Sequence, residues 1–203
     1  MSAQEFNKGY VGFSYLNTNL VNRPGNLQLD MYARSINKLE NISLPKRMDG
    51  MTFTFMGVKE ISENAEVFGE MEFANRSFIT EKSASDYELK VRINTLKFIS
   101  TGGRIHIFRF GFSLLDINRI TIKQKGVEFE NTGLSKWVPY YQKKTITNFG
   151  STFKLGFHFP LGDFAAFELL GIYQTMWFPN KFSIPFRANN LGISASLLIN
   201  FMQ

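Results

Sequence analysis

The feature that most constrains this chain is a regular alternation of large apolar residues with polar or small ones. It is clearest in the segments Phe108–Leu114 (FRFGFSL), Phe153–Phe159 (FKLGFHF) and Tyr87–Asn94 (YELKVRIN). A period of two places the apolar residues on one face of a β-strand. The opposite face carries charges of both signs and mid-strand glycines, rather than the bulky residues of a packed core. Such strands suit a barrel whose apolar face meets lipid and whose polar face points inward.

The composition is that of membrane-spanning strands rather than of a membrane helix. Phenylalanine occurs 22 times and 44% of the residues are hydrophobic, yet no stretch approaches the roughly 20 consecutive apolar residues of a membrane helix. Cysteine is absent, which excludes disulfides, thiolate metal ligands and cysteine nucleophiles. The first residues, MSAQE, lack the apolar core of an export signal. For an exported barrel we therefore expect this sequence to be a mature form, or one expressed without its signal.

Eight alternating segments can be placed along the chain, at about 8–17, 50–59, 65–76, 87–98, 104–116, 147–159, 164–175 and 190–201. Short stretches of turn-forming residues connect some of them, at 61–64, 100–103 and 160–163, and long loops connect the others. Short periplasmic turns on one rim and long extracellular loops on the other are typical of membrane barrels. The sequence therefore predicts an all-β fold, an eight-stranded antiparallel up-and-down transmembrane β-barrel forming a single domain over residues 1–203.

Two of the predicted loops also contain segments with the alternating pattern of a strand. Residues 26–33 and 120–129 alternate, and we expect them to extend the barrel wall above the membrane as hairpins. A ten-stranded barrel is the alternative, but a single added strand would break the alternation of short and long connections.

Charged residues at the predicted inward positions form a candidate site in the lumen. Neighbouring antiparallel strands bring such groups within reach of one another, and an eight-stranded barrel is narrow enough for side chains to fill it. We interpret them as a salt-bridged plug in which each buried charge has a partner; a selective or gated pore, or paired carboxylates in acid–base catalysis, are the alternatives. The predicted lumen charge network consists of Glu70, Glu72, Glu88, Lys90, Arg92, Arg109, Lys154 and Glu168.

Histidine chemistry is limited to His106 and His158. Neither residue forms a recognisable set of nucleophile, base and orienting group. No spacing of metal ligands and no phosphate-binding glycine motif is present. We therefore expect no catalytic residue, no metal and no cofactor, and a protein that is not an enzyme.

The predicted loop at 117–145 combines basic and aromatic residues. On the outer rim these could contact lipopolysaccharide phosphates or a protein partner, whereas a merely solvated loop is the alternative. The net charge is +6, but the basic residues form no dense run, so we expect no nucleic-acid partner. The candidate contact residues are Arg119, Lys123, Lys125, Trp137, Tyr140 and Tyr141.

Over nearly its whole length the chain resembles the small eight-stranded outer-membrane barrels of Gram-negative bacteria, the porin-like or OmpA-type transmembrane domain superfamily. The resemblance depends on segments such as Phe108–Leu114 and on Leu191–Phe201, which looks like the closing strand read by the barrel assembly machinery. The family usually ends on the aromatic residue, whereas Met202 and Gln203 follow here.

This resemblance implies a location in the bacterial outer membrane. It also implies a non-enzymatic integral barrel that acts as a structural or partner-binding subunit of an envelope complex, in contact with outer-membrane lipid or lipopolysaccharide. A narrow pore is one alternative. A lipid A-modifying enzyme is a second, and a soluble lipocalin-like ligand carrier, with the apolar face inside, is a third.

Overall fold

The computed structural model describes residues 7–20, 47–82, 87–132, 134–177 and 189–202. Each strand pairs antiparallel with the next, and the last pairs with the first to close a barrel. No helix within these ranges is long and apolar enough to cross a membrane. The predicted eight-stranded up-and-down barrel is confirmed. Its strands are β1 (Lys8–Leu20), β2 (Arg47–Ser62), β3 (Ala65–Lys82), β4 (Tyr87–Ile105), β5 (Phe108–Thr132), β6 (Leu134–Pro160), β7 (Ala165–Met176) and β8 (Asn190–Asn200).

The apolar face of the wall points outward. Leu155 is 68% exposed and Phe13 60%, whereas Glu70 and Arg109, on the opposite face, are buried. In a soluble ligand carrier these exposures would be reversed, since its apolar side chains line the interior. The lipocalin-like alternative is therefore wrong, and an exposed apolar belt of this kind is what acyl chains cover in membrane barrels.

Three tight turns close one rim, and one of them lies outside its predicted position. The turns at Glu63-Asn64 and after Pro160 agree with the prediction. The turn predicted at 100–103 is wrong, because β4 continues to Ile105 and turns at His106-Ile107. Gly102 is needed for close strand contact instead: a Cβ there would lie 2.2 Å from the Phe110 carbonyl oxygen. His106 takes the left-handed conformation of the true turn, with φ 54°.

The predicted loop at 117–145 is an extension of the barrel wall. β5 and β6 remain paired up to Thr132 and Leu134, which confirms that residues 120–129 form part of a hairpin. β3 and β4 also remain paired up to Lys82 and Tyr87. The segment at 26–33 lies outside the described residues.

Above the membrane belt the two faces of the wall exchange their polarity. Val91, Ile93 and Ile120 are buried on the inner face, while Arg92 and Arg119 are exposed on the outer face. Water surrounds this part of the wall, so the hydrophobic effect drives apolar side chains inward. The upper wall therefore has the polarity of a soluble barrel.

Candidate functional site

A cluster of six charged side chains fills the middle of the lumen. It contains three acids and three bases, contributed by β3, β4, β5, β6 and β7 in turn, and none of the six is more than 6% exposed. We call it the lumen ion cluster: Glu70, Glu72, Lys97, Arg109, Lys154 and Glu168.

Every charge in the lumen ion cluster has an opposite partner. Arg109 donates to Glu70 at 2.6 Å and also to Glu168. Lys154 donates to Glu70 at 2.5 Å and to Glu72, which accepts a further bond from Lys97. The acids thus bridge the bases from one side of the barrel to the other, and the charges balance. Buried ions are tolerated when they are paired and hydrogen-bonded in this way.

Two aromatic rings border the cluster. The Nδ1 atom of His158 lies 2.8 Å from a carboxylate oxygen of Glu168, and the His158 side chain is buried. The Arg109 guanidinium lies 4.3 Å from the centroid of the Phe68 ring, a cation–π contact. His158 is therefore a lumen residue that contacts an ion pair.

A second polar layer, the upper polar layer, is centred on Asp116. Its carboxylate accepts hydrogen bonds from Ser113 at 2.6 Å, from Gln174 at 3.0 Å and from Thr152. Arg76 donates to Gln174 at 2.5 Å. Asp116 faces inward because β5 contains an irregularity in register between Ser113 and Asp116. The sequence analysis missed this layer. The signal that could have revealed it is Asp116 itself, an acid between apolar residues of a strand.

Little empty space remains beside the lumen ion cluster. The cavity there has a volume of about 10 Å³, roughly the space that one water molecule needs. Bulky apolar side chains, which the sequence pattern did not predict inside, fill further parts of the lumen. They form two clusters, one of Tyr10, Met56, Val58, Phe68, Ala166 and Leu198, the other of Leu16, Ala74, Leu170 and Ile172.

The outer face of the upper wall carries a second group of charges. Lys90, Lys123 and Lys143 are direct cross-strand neighbours on β4, β5 and β6. On β4, Arg92 is the next outward-facing residue after Lys90 in the direction of the membrane. On β5, Arg119 is the second outward-facing residue after Lys123 in that direction. We call these five residues the outer cationic face.

The chain matches no protein-family model and no curated protein. Among solved structures it is similar to Ail, the attachment invasion locus protein of Yersinia pestis, with a TM-score of 0.49 and 14% identity over 97% of this chain and 100% of that chain. The structure of Ail in complex with the heparin analogue sucrose octasulfate has the same TM-score and coverage at 12% identity. Neisserial surface protein A gives a TM-score of 0.43 and 9% identity over 95% of this chain and 97% of that chain.

A closed ring of eight strands, apolar outside and charged inside, is the architecture of barrels that span a membrane. The chain has the fold of a transmembrane β-barrel.

Five of the predicted lumen residues meet inside this barrel. Glu70, Glu72, Arg109, Lys154 and Glu168 all belong to the lumen ion cluster. Lys97, its sixth member, was missed.

The assignment of Lys90 and Arg92 to the lumen is wrong. Arg92 is exposed, and Lys90 lies two residues away on the same face of β4. Glu88 is paired in β4 with Lys125 of β5, but its side chain lies outside the described ones. The prediction assumed that apolar residues of β4 point outward along its whole length. In the part of β4 above the membrane they point inward, so the charged residues between them point outward.

The predicted contact residues of the long loop lie on the β5–β6 hairpin. Arg119 and Lys123 are exposed there. Lys125 pairs with Tyr141, and Tyr140 and Trp137 occupy neighbouring positions of β6; the side chains of these four residues lie outside the described ones.

Proposed function

We propose that this chain is a non-enzymatic integral barrel that acts as a structural or partner-binding subunit of an envelope complex. The observation that carries the proposal is the filled lumen. The charges of the lumen ion cluster are balanced and buried, and the cavity beside them has about the volume of one water molecule. Since the described interior beside the cluster offers no room for a passing solute, we assign the function to the outer surfaces and the long hairpins.

The alternative of a narrow pore requires the cluster to come apart. Arg109 and Lys154 each contact two carboxylates, so opening would break several buried pairs together. Breaking one buried pair by removing a partner costs about 3–5 kcal/mol. A spontaneous open state would therefore be sparsely populated.

Planar-bilayer recording tests the closed lumen. We expect the purified wild-type barrel to insert without producing a stable unitary conductance. The Arg109→Ala/Lys154→Ala variant removes two side chains from the middle of the lumen, and we expect it to conduct, at least transiently. Heat-modifiable migration on gels verifies that both proteins are folded. A stable open state of the wild type would contradict the proposal and favour the pore.

Recovery of a partner tests the role as a subunit. The wild type and a hairpin-trimmed variant, in which a two-residue turn joins Thr121 to Thr145, are purified from native membranes in gentle detergent. These residues are cross-strand partners, so a tight turn can close the shortened hairpin. We expect one envelope protein to co-purify in fixed ratio with the wild type and to be lost from the trimmed barrel. A barrel that purifies alone from native membranes would contradict the subunit role.

A further inference from the structure

We propose that the outer cationic face binds the phosphate groups of an outer-leaflet glycolipid of the lipid A class. The inference rests on the proposed membrane-integral barrel and names the lipid that its upper wall would hold. It brings together Lys90 and Arg92, which the sequence pattern had placed in the lumen, with Arg119, Lys123 and Lys143.

The register of the wall arranges these cations as a lattice. The row closest to the membrane pairs Asn94 with Arg119, and the next row pairs Arg92 with Thr121. The third row aligns Lys90, Lys123 and Lys143 on three successive strands. Strands lie about 4.8 Å apart and alternate positions on a strand about 7 Å apart. The five cations therefore share an area of about 10 by 14 Å.

No acid occupies any of these three rows between β3 and β6, and the row beyond Lys90 pairs Glu88 of β4 with Glu81 of β3 and with Lys125 of β5. The closest acid across the middle row is Asp49, which pairs with Ser77 of β3 and so lies two strands from Arg92. Asp49 already accepts hydrogen bonds from Tyr15 at 2.8 Å and from Asn17. The bond from Tyr15 lowers the pKa of this carboxyl group. Among the described side chains, the five cations have no acidic partner.

The row of three lysines destabilises the sheet when no ligand is bound. Like charges directly opposite each other on neighbouring strands destabilise a sheet, and Lys90, Lys123 and Lys143 repeat that arrangement twice. A ligand with more than one phosphate would offset this repulsion, because each ammonium then gains an anionic partner. Arg92 and Arg119 add guanidinium groups, which bind phosphate oxygens through two parallel hydrogen bonds.

The position of the lattice favours a lipid over a soluble polyanion. The row directly below it is apolar and consists of Leu96, Ile117 and Phe149, and Phe149 is exposed. The cations therefore begin where the acyl-chain belt ends, and they point sideways along the membrane plane. A glycolipid beside the barrel would place its chains on the apolar row and its phosphates on the cations.

Native mass spectrometry of the full chain in detergent tests this proposal. The probes are bisphosphorylated lipid A, the same lipid after phosphatase treatment, and inositol hexakisphosphate as a polyphosphate without acyl chains. The variant is Lys90→Gln/Lys123→Gln/Lys143→Gln. The single variants Lys123→Gln and Lys59→Gln form a matched pair, since Lys59 lies on the outward phase of β2 near the opposite rim.

We expect the wild type to retain bisphosphorylated lipid A at least tenfold more tightly than the triple variant or the dephosphorylated lipid. Each near-surface cation contributes about fivefold in affinity to an anionic lipid, so Lys123→Gln should lose about fivefold and Lys59→Gln less than twofold. Heat-modifiable migration verifies folding of every variant.

Equal retention by the wild type and the triple variant would overturn the proposal, as would equal losses in the two single variants. Tighter binding of inositol hexakisphosphate than of lipid A would also overturn it, in favour of a soluble polyanion. None of these outcomes bears on the closed lumen, which bilayer conductance tests separately.

Discussion

At the scale of single residues, Arg92 and Arg109 lie on neighbouring strands and have opposite environments. Arg109 is 3% exposed and touches two carboxylates of the lumen ion cluster, whereas Arg92 is exposed on the upper wall. Both sequence contexts alternate apolar and charged residues. The difference arises from what surrounds the wall at each height, lipid for Arg109 and water for Arg92.

We predict that Arg109→Met lowers the free energy of unfolding by about 3–5 kcal/mol, because Glu70 and Glu168 lose a buried partner. Arg92→Met removes the same charge and volume from the exposed face and should change it by less than about 0.5 kcal/mol. Urea unfolding in detergent micelles, followed by tryptophan fluorescence, measures both. Equal losses in the two variants would contradict the assignment of Arg109 to the lumen.

At the scale of elements, the register of β4 determines which of its own charges enter the lumen. Its register shifts at Lys97, Ile99 and Ser100, so the positions above and below this irregularity follow different phases. Lys97 enters the lumen for that reason, while Val91 and Ile93 form the apolar interior of the upper wall. A bulge of this kind leaves no mark in a pattern of alternating residues, and the sequence therefore predicted the strand but not its phase.

Site-directed spin labelling of β4 and β5 tests the change of polarity along the wall. A label at Phe110 should be relaxed by lipid-soluble oxygen, and a label at Arg92 by a water-soluble nickel complex. A label at Ile93, which is 2% exposed, should be protected from both reagents. Strong relaxation of the Ile93 label by oxygen would contradict the exchange of faces, because it would place this side chain in lipid.

At the scale of the whole molecule, the two rims of the barrel extend to different distances from the apolar belt. The turns at Glu63-Asn64, His106-Ile107 and 161–164 hold one rim close to the membrane. The β5–β6 hairpin carries the opposite rim to Thr132, well beyond the apolar row that ends at Phe149. From such asymmetry we expect the short turns to lie in the periplasm and the hairpin outside the cell.

Labelling of intact cells tests this orientation. The chain contains no cysteine, so Thr132→Cys, Asn64→Cys and Asp163→Cys each introduce one thiol. A membrane-impermeant maleimide should modify the variant at position 132 in intact cells and the other two only after lysis. Modification of the turn variants in intact cells, with protection at position 132, would reverse the proposed orientation.

The sequence by itself determined the strands, the division of each strand into an apolar and a polar face, and much of the lumen charge. These follow from a period of two and from turn chemistry, both of which are local, and Glu70, Glu72, Arg109, Lys154 and Glu168 were found in this way. Only the tertiary structure decided where the phase shifts and where the surroundings change from lipid to water. Those two facts placed Lys97 and Asp116 inside and Lys90 and Arg92 outside, because a side chain's direction depends on strand register and on the solvent at its height, and neither is encoded in neighbouring residues.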